Sequence, residues 1–251
     1  MTLKALYERL SAMYPVALRA EWDNDGLMCS PDTNGEVTRV LCTLDVTDAA
    51  IDRAIAIRAN VIVSHHPLIF HPLSAVSPED AVGRKVCRLL SAGISVLSFH
   101  TRADAAEGGV NDLLAEALSL SSCVRFADGL GRIGRLPAPM TAAKFAAYVK
   151  RRLGAPIVLY GDAARPVSLV AVLGGSGKGE IGDAIAAGAD SYLSGRLSYE
   201  TVNEAASLGI NLFEAGHFYT EAVFPKRLAA VIAEWGIPCE YFHSCEVCTV
   251  L

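Results

Sequence analysis

The sequence predicts an α/β protein, and three observations lead there. Short β-rich runs alternate with amphipathic helical segments along the 251 residues, the spacing that builds strand–helix–strand units with largely parallel pairing. Apolar residues make up 52% of the chain and charged ones 20%, which suits one large or two modest cores and excludes a disordered tail or a coiled coil. The same rhythm runs through both halves, which allows two related lobes.

The elements follow in order. Leu3, Leu6, Leu10 and Met13 recur at helical spacing, with Thr2 as N-cap and Pro15 as a stop. Residues 37–44 read as a strand and 48–59 as a helix carrying Ile51, Ala54 and Ile55 on one face. A strand at 60–64, a helix at 79–92, a strand at 94–99 and a helix at 109–118 come next. Between 128 and 139, glycines and prolines at turn positions predict a crossing between lobes. Beyond it the pattern predicts a helix over 142–153, a strand over 166–173 and a helix over 180–187. A strand over 191–193, a helix over 199–207 and a strand over 210–213 complete that series. A last helix is expected to start at Pro225, which suits a first helical position, and to run to Trp235, before a closing strand over 240–250.

Composition narrows the function. The longest apolar stretches, such as Leu169–Leu173 and Leu228–Ala233, fall far short of the roughly 20 residues a membrane helix needs. The opening residues lack a signal peptide's apolar core, so a cytoplasmic protein is expected. A net charge of −5 without a Lys/Arg stripe argues against nucleic-acid binding, while leaving room for a small phosphorylated ligand. The seven cysteines, odd in number and mostly in apolar segments, read as reduced, buried thiols. Cys245 and Cys248 form a lone C-x-x-C whose sulfurs would point to opposite faces of a strand, which argues against a structural zinc.

Three predicted strands end in residues that can carry metal chemistry. Val61–Ser64 runs into His65, His66 and Pro67. Neighbouring side chains on a strand point oppositely, so one ion cannot readily take both imidazoles. Bent at Pro67, each could serve one of two ions roughly 3.5–4 Å apart. The alternative is a pair of hydrogen-bonded loop histidines. Val96–Phe99 delivers His100 and Asp104 to a strand's carboxyl end, where open α/β sheets bind ligands. Asp104 reads as an oxygen ligand or as a helix cap. His100 reads as a ligand, a proton shuttle or a partner orienting Asp104.

The third strand, 210–213, is followed by Gly216, His217 and Glu221. If helix has begun by His217, the two side chains share a face at i and i+4. If it begins nearer Thr220, Glu221 sits in a first turn whose dipole favours a carboxylate. The alternative is a solvated glutamate beside a turn histidine. His71 and His243 have no carboxylate in register and read as ordinary. Together the strand ends supply imidazoles and carboxylates, which suit zinc, iron or manganese rather than calcium. Gly177, Gly179 and Gly182 fit the G-x-G-x-x-G spacing of a dinucleotide loop, but lack its acidic strand-end partner. They read as a tight strand-to-helix turn or as an anion site made of backbone N–H groups.

The ordered set of motifs resembles the GTP cyclohydrolase 1 type 2 family, the Ngg-interacting-factor-like dinuclear-metal proteins. The set comprises Trp22-Asp23-Asn24-Asp25-Gly26-Leu27, Asp45, Ser64-His65-His66-Pro67-Leu68 and His100-Thr101-Arg102-Ala103-Asp104, continuing through Gly108-Gly109-Val110-Asn111-Asp112, Gly174-Gly175-Ser176-Gly177 and Ala215–Glu221. The resemblance implies two divalent ions held by His65, His66, Asp104, His217 and Glu221, with Glu221 touching both. It implies two interlinked α/β lobes with mixed sheets, the site at strand carboxyl ends in the cleft between them, and a homohexamer. We expect residues 1–127 with 213–251 to form the lobe carrying most ligands, and 128–212 the other. Two departures stand out: Arg102 and Ala103 replace the family's usual Asn-Leu, and Arg196 stands where relatives often carry Glu.

Two functional readings follow. One is a metal-dependent hydrolase of a nucleotide or similar phosphorylated heterocycle, with His100 as general acid or base. The other is a metal-binding or assembly protein without catalysis. An NAD-type enzyme using the Gly177 loop ranks last.

Overall fold

The computed structural model describes Met1–Ser244. In chain order it contains α1 (Leu3–Met13), β1 (Gly26–Cys29), β2 (Val40–Thr43), α2 (Asp48–Ala56), β3 (Val61–Ser64), α3 (Ala81–Ser91), β4 (Ser95–Ser98) and α4 (Thr101–Ala105). Next come α5 (Val110–Ala117), β5 (Ser121–Phe126), β6 (Gly131–Thr141), α6 (Ala142–Leu153), β7 (Val158–Tyr160), β8 (Pro166–Ser176) and α7 (Ile181–Ala186). The chain ends with β9 (Ser191–Arg196), α8 (Tyr199–Leu208), β10 (Asn211–Glu214), α9 (His217–Glu221), α10 (Val223–Glu234) and β11 (Cys239–Phe242). These elements sort into two units, Met1–Ala106 with the described residues from Phe224, and Glu107–Val223.

The first unit is built on a sheet ordered β1-β4-β3-β2-β11, parallel except for β1, which runs antiparallel to β4. Every residue of β2, β3 and β4 is buried, as expected for parallel strands covered on both faces. Helix starts are set by side-chain caps: Thr2 accepts from Ala5 N, Thr47 from Ala50 N, and Asp80 from Val82 N and Gly83 N. Each such cap is worth about 1 kcal/mol. Ile51 and Ala54 of α2 pack with Leu41, Ile62, Leu89 and Val96, whereas Ile55 faces solvent, so the apolar stripe is narrower than its spacing suggests.

The second unit is built on a sheet ordered β5-β6-β8-β9-β10-β7. Only β8, β9 and β10 run parallel; the other three pairings are antiparallel, so parallel pairing is confined here to the middle of the sheet. Period-2 alternation feeds two cores. Val170, Val172, Leu193 and Phe213 pack with Leu114 of α5 and Phe145 and Val149 of α6. Their neighbours Ala171, Leu173, Tyr192 and Leu212 pack on the opposite face with Ile181 and Ala184 of α7 and Ala205 of α8.

Several expectations change. Residues 128–139, expected to cross between lobes, fall largely within β6, and Pro137 and Pro139 lie in its irregular pairing with β8, where a missing N–H costs least. The unit boundaries fall at 106/107 and 223/224 rather than 127/128 and 212/213. Leu114, Ala115 and Leu118 pack into the second unit's core, and β10 pairs with β9, carrying α9 with it. His217 and Glu221 therefore belong to the second unit. Helix α10 begins at Val223, placing Pro225 at its third position. Residues 245–250 of the expected closing strand, and the Cys245–Cys248 pair, lie outside the described residues. Of the other cysteines Cys42 is buried and 3.6 Å from Cys239 Sγ, but Cys123 is exposed. Among the described residues no helix is long and apolar enough to cross a membrane.

Candidate metal centre

In the first unit β3 ends at Ser64, and the next two backbone N–H groups both turn to the segment after β2. His65 N donates to Thr43 O at 3.2 Å and His66 N to Leu44 O at 3.0 Å, which fixes both histidines at the strand's carboxyl end. Their rings lie 5.0 Å apart, tilted at 49°. His65 is fully buried and His66 partly exposed.

Each imidazole is tied back through Nδ1. The His65 Nδ1–H donates to the Phe99 carbonyl at 2.9 Å. His66 Nδ1 lies 2.7 Å from Asp45 Oδ1, and His100 Nδ1 lies 2.8 Å from Asp23 Oδ1. A carbonyl or carboxylate oxygen only accepts, so the proton is assigned to Nδ1 in all three and the lone pair to Nε2. Metal-ligating histidines are held in this way, the ring nitrogen that does not face the ion being fixed by an oxygen acceptor. His65, His66 and His100 offer ligand nitrogens within 4.8 Å of one another. Asp104, in the first turn of α4, brings Oδ1 to 3.5 Å from His65 Nε2.

Asp23 is the anchor of this group. It takes Nδ1–H of His100, N–H of Thr101 at 3.1 Å and the Thr101 hydroxyl at 2.6 Å. Burial would raise its carboxyl, but the hydrogen bonds from His100 and Thr101 outweigh burial and hold it down at about 2. Beside it Arg102 is wholly buried, donating Nε to Asp25 Oδ2 at 2.8 Å and lying 4.3 Å over the Phe99 ring. Arg102 thus braces α4 against Asp25, Ser11 and Tyr14.

In the second unit β10 ends, Gly216 turns the chain at φ +79°, and α9 starts at His217. Helix has begun by His217, and its Nε2 meets Glu221 Oε2 at 2.9 Å, with Glu221 buried and His217 43% exposed. The room for this pair comes from glycines. Gly175, at φ +68°, sits where a Cβ would collide with Glu221 Oε1 and lie 3.3 Å from His217 Nε2. A Cβ on Gly195 would lie 2.6 Å from Thr220 Oγ1 and 2.8 Å from His217 Cα. Gly175 N donates to Thr220 Oγ1, pinning the β8 end to α9. Gly177 packs against Tyr192 and Ser194, and its N–H donates to Ser194 Oγ. That glycine therefore serves a tight turn.

The family model for Duf34/NIF3 (NGG1p interacting factor 3) matches residues 1–244. The chain belongs to the Duf34/NIF3 family. A Clostridium perfringens protein named GTP cyclohydrolase 1 type 2 homolog is 33% identical, the match covering 88% of this chain and 87% of that one. The NIF3 homolog of Schizosaccharomyces pombe is 32% identical over 86% of this chain and 84% of its own. The crystal structure of a Staphylococcus aureus hypothetical protein superposes with a TM-score of 0.90 at 26% identity, covering 98% and 97% of the two chains.

Within this Duf34/NIF3 chain, His65, His66, His100 and Asp104 gather in the first unit, and His217 and Glu221 pair in the second. The donor set, imidazole nitrogens with carboxylate oxygens and pre-set tautomers, fits divalent transition-metal ions. His71 packs its ring 4.9 Å from Phe70, and His243 meets the Tyr241 hydroxyl at 2.9 Å. Residue spacing gave no role to Asp23, Asp45 or Gly175. All three do stand in stretches the family motifs already include, Trp22–Leu27, Asp45 and Gly174–Gly177. Gly175 could have been suspected from a glycine pair at a strand end.

Proposed function

We propose that this Duf34/NIF3 protein holds two divalent ions, zinc, iron or manganese, on His65, His66, Asp104, His217 and Glu221, and hydrolyses a nucleotide or similar phosphorylated heterocycle. The observation that carries this reading is that His65 and His66 each have Nδ1 bound to an oxygen acceptor, so that Nε2 carries the lone pair a metal ion takes, with His100 oriented the same way beside them. The ions would supply an acidified water, its pKa lowered towards roughly 7, and Lewis-acid polarisation of the substrate. His100, oriented by Asp23, holds or takes a proton at Nε2. The name of the Clostridium relative supports a GTP-like substrate. The family resemblance supports a homohexamer, and a cytoplasmic location belongs to the same reading.

The test combines elemental analysis with turnover. We expect two ions per wild-type chain and fewer in His65→Ala and Glu221→Ala. Metal-loaded protein should convert GTP or a related nucleotide faster than the His65→Ala/Glu221→Ala variant. Two firmly held ions with no conversion of any nucleotide would instead assign the protein to metal handling or assembly. Sedimentation at six times the chain mass checks the hexamer.

A further inference from the structure

A cavity of about 590 Å³ opens in the second unit, with Ser176, Lys178, Arg196, Ser198, Tyr199 and His217 in its lining. Small-molecule sites span roughly 300–1,000 Å³, so a mononucleotide-sized ligand fits. The position is the one topology favours. Ser176 closes β8, its register partner Arg196 closes β9, and His217 follows β10, so the cavity lies at the carboxyl ends of the three parallel strands.

The lining is cationic in a protein of net charge −5. Among the described residues neither Lys178 nor Arg196 closes a salt bridge. Nearby carboxylates are engaged: Glu214 accepts from Leu197 N at 2.9 Å and Glu180 from Gly179 N at 3.0 Å. Glu200, in the first turn of α8, is held below the usual carboxylate range by backbone and Ser198 hydrogen bonds, with a smaller contribution from the Lys178 charge. An arginine can grip a phosphate with two parallel N–H bonds, while a lysine adds a point charge. Tyr199 stands at the same cavity with 77% of its surface exposed. A planar ring could stack on that face.

We propose that this cavity binds a planar heterocycle carrying a phosphate, with Lys178 and Arg196 taking the phosphate and Tyr199 the ring. The inference deepens the hydrolase reading and rests on it in one respect: His217, in the lining, is also one of the residues that would hold the ions. Arg196 and Lys178 are then specificity-determining residues.

Calorimetric titration of the full chain with GMP, guanosine and inorganic phosphate tests this. GMP should bind at least tenfold more tightly than guanosine at low salt. Arg196→Glu and Lys178→Ala should each weaken GMP by about tenfold or more, leaving guanosine unchanged. Tyr199→Ala should weaken GMP and guanosine but not phosphate. Melting curves establish that each variant is folded, and Arg196→Gln or Lys178→Gln replaces any that is not. GMP binding as tightly to Arg196→Glu/Lys178→Ala as to wild type overturns the proposal. If that binding also vanishes with a chelator, the phosphate sits on the ions, and the dinuclear reading stands while the cavity inference falls. Charge-dependent GMP binding by a chain that takes up no metal upholds the cavity inference and overturns the dinuclear reading.

Discussion

His100 donates its Nδ1 hydrogen to Oδ1 of Asp23 at 2.8 Å, across 77 positions of sequence. The same carboxylate receives the N–H and hydroxyl of Thr101, so one residue fixes both the ring and the turn that presents it. A neutral imidazole held this way has one available tautomer, with its lone pair at Nε2.

Replacement of Asp23 by Asn tests that arrangement. The amide keeps one acceptor but loses the charge and can present N–H to N–H. We expect a stability loss of about 1–3 kcal/mol in urea unfolding, the range for leaving a buried hydrogen-bonding group unmatched. Nitrogen-15 NMR of the imidazoles should show His100 protonated at Nδ1 in the wild type and a mixture in the variant. An unchanged spectrum would remove Asp23 from the positioning role.

The pH dependence of stability carries the same signature. Asp23 is depressed from its ordinary 3.8 to about 2, so its contribution is complete above 3.8 and disappears as pH falls from 3.8 towards 2. The wild-type advantage over Asp23→Asn should therefore shrink across that window and be flat above it. Burial raises the Asp25 carboxyl, with Arg102 opposing, which gives Asp25 the opposite sign; the Asp23 charge adds to that rise, so Asp23→Asn removes part of it as well. Urea unfolding between pH 6 and pH 2.5 measures the difference.

Gly175 should not tolerate a methyl group. Its backbone is left-handed and the added carbon would meet the Glu221 carboxylate. Gly175→Ala should lower stability and reduce the metal content, because Glu221 must move. Gly188 is the control: φ is +85° and nothing lies within 4 Å of its would-be Cβ. Gly188→Ala should cost about 1–2 kcal/mol from backbone strain alone and leave metal content intact. Equal metal content in the two variants would contradict the role given to Gly175.

Arg102 and Asp25 are both buried and linked at 2.8 Å. Arg102→Met alone leaves a carboxylate in a dry environment and should cost about 3–5 kcal/mol. Adding Asp25→Leu should recover part of that loss, because the pair's worth is small once both desolvation penalties are removed. Urea midpoints of the two variants decide it; a double variant no more stable than Arg102→Met would show that the ion pair is not what the arginine provides.

Much of the fold was legible in the chain. The helix start at Thr2 follows from local capping chemistry, and β2, β3 and β4 from short apolar runs that could only be buried. The ligand candidates were legible for the same reason: an apolar run that stops at His65-His66, at His100 or at Gly216-His217 marks a strand end, and metal donors stand out there. Short edge strands were not. Val158–Tyr160 is exposed or half-exposed and Ser121–Phe126 is exposed up to Phe126, and neither carries a clear period, so only their partners reveal them.

The sequence by itself determined the α/β class, the family and the residue types able to bind metal, since these depend on neighbours a few positions apart. Which oxygen meets each Nδ1, that Gly175 clears space for Glu221, and that Arg102 faces Asp25 while Arg196 lines a cavity were decided only by tertiary structure. Those relationships depend on which strands lie side by side, and hydrogen-bond and steric terms vanish within a few ångströms, so local pattern carries no trace of them.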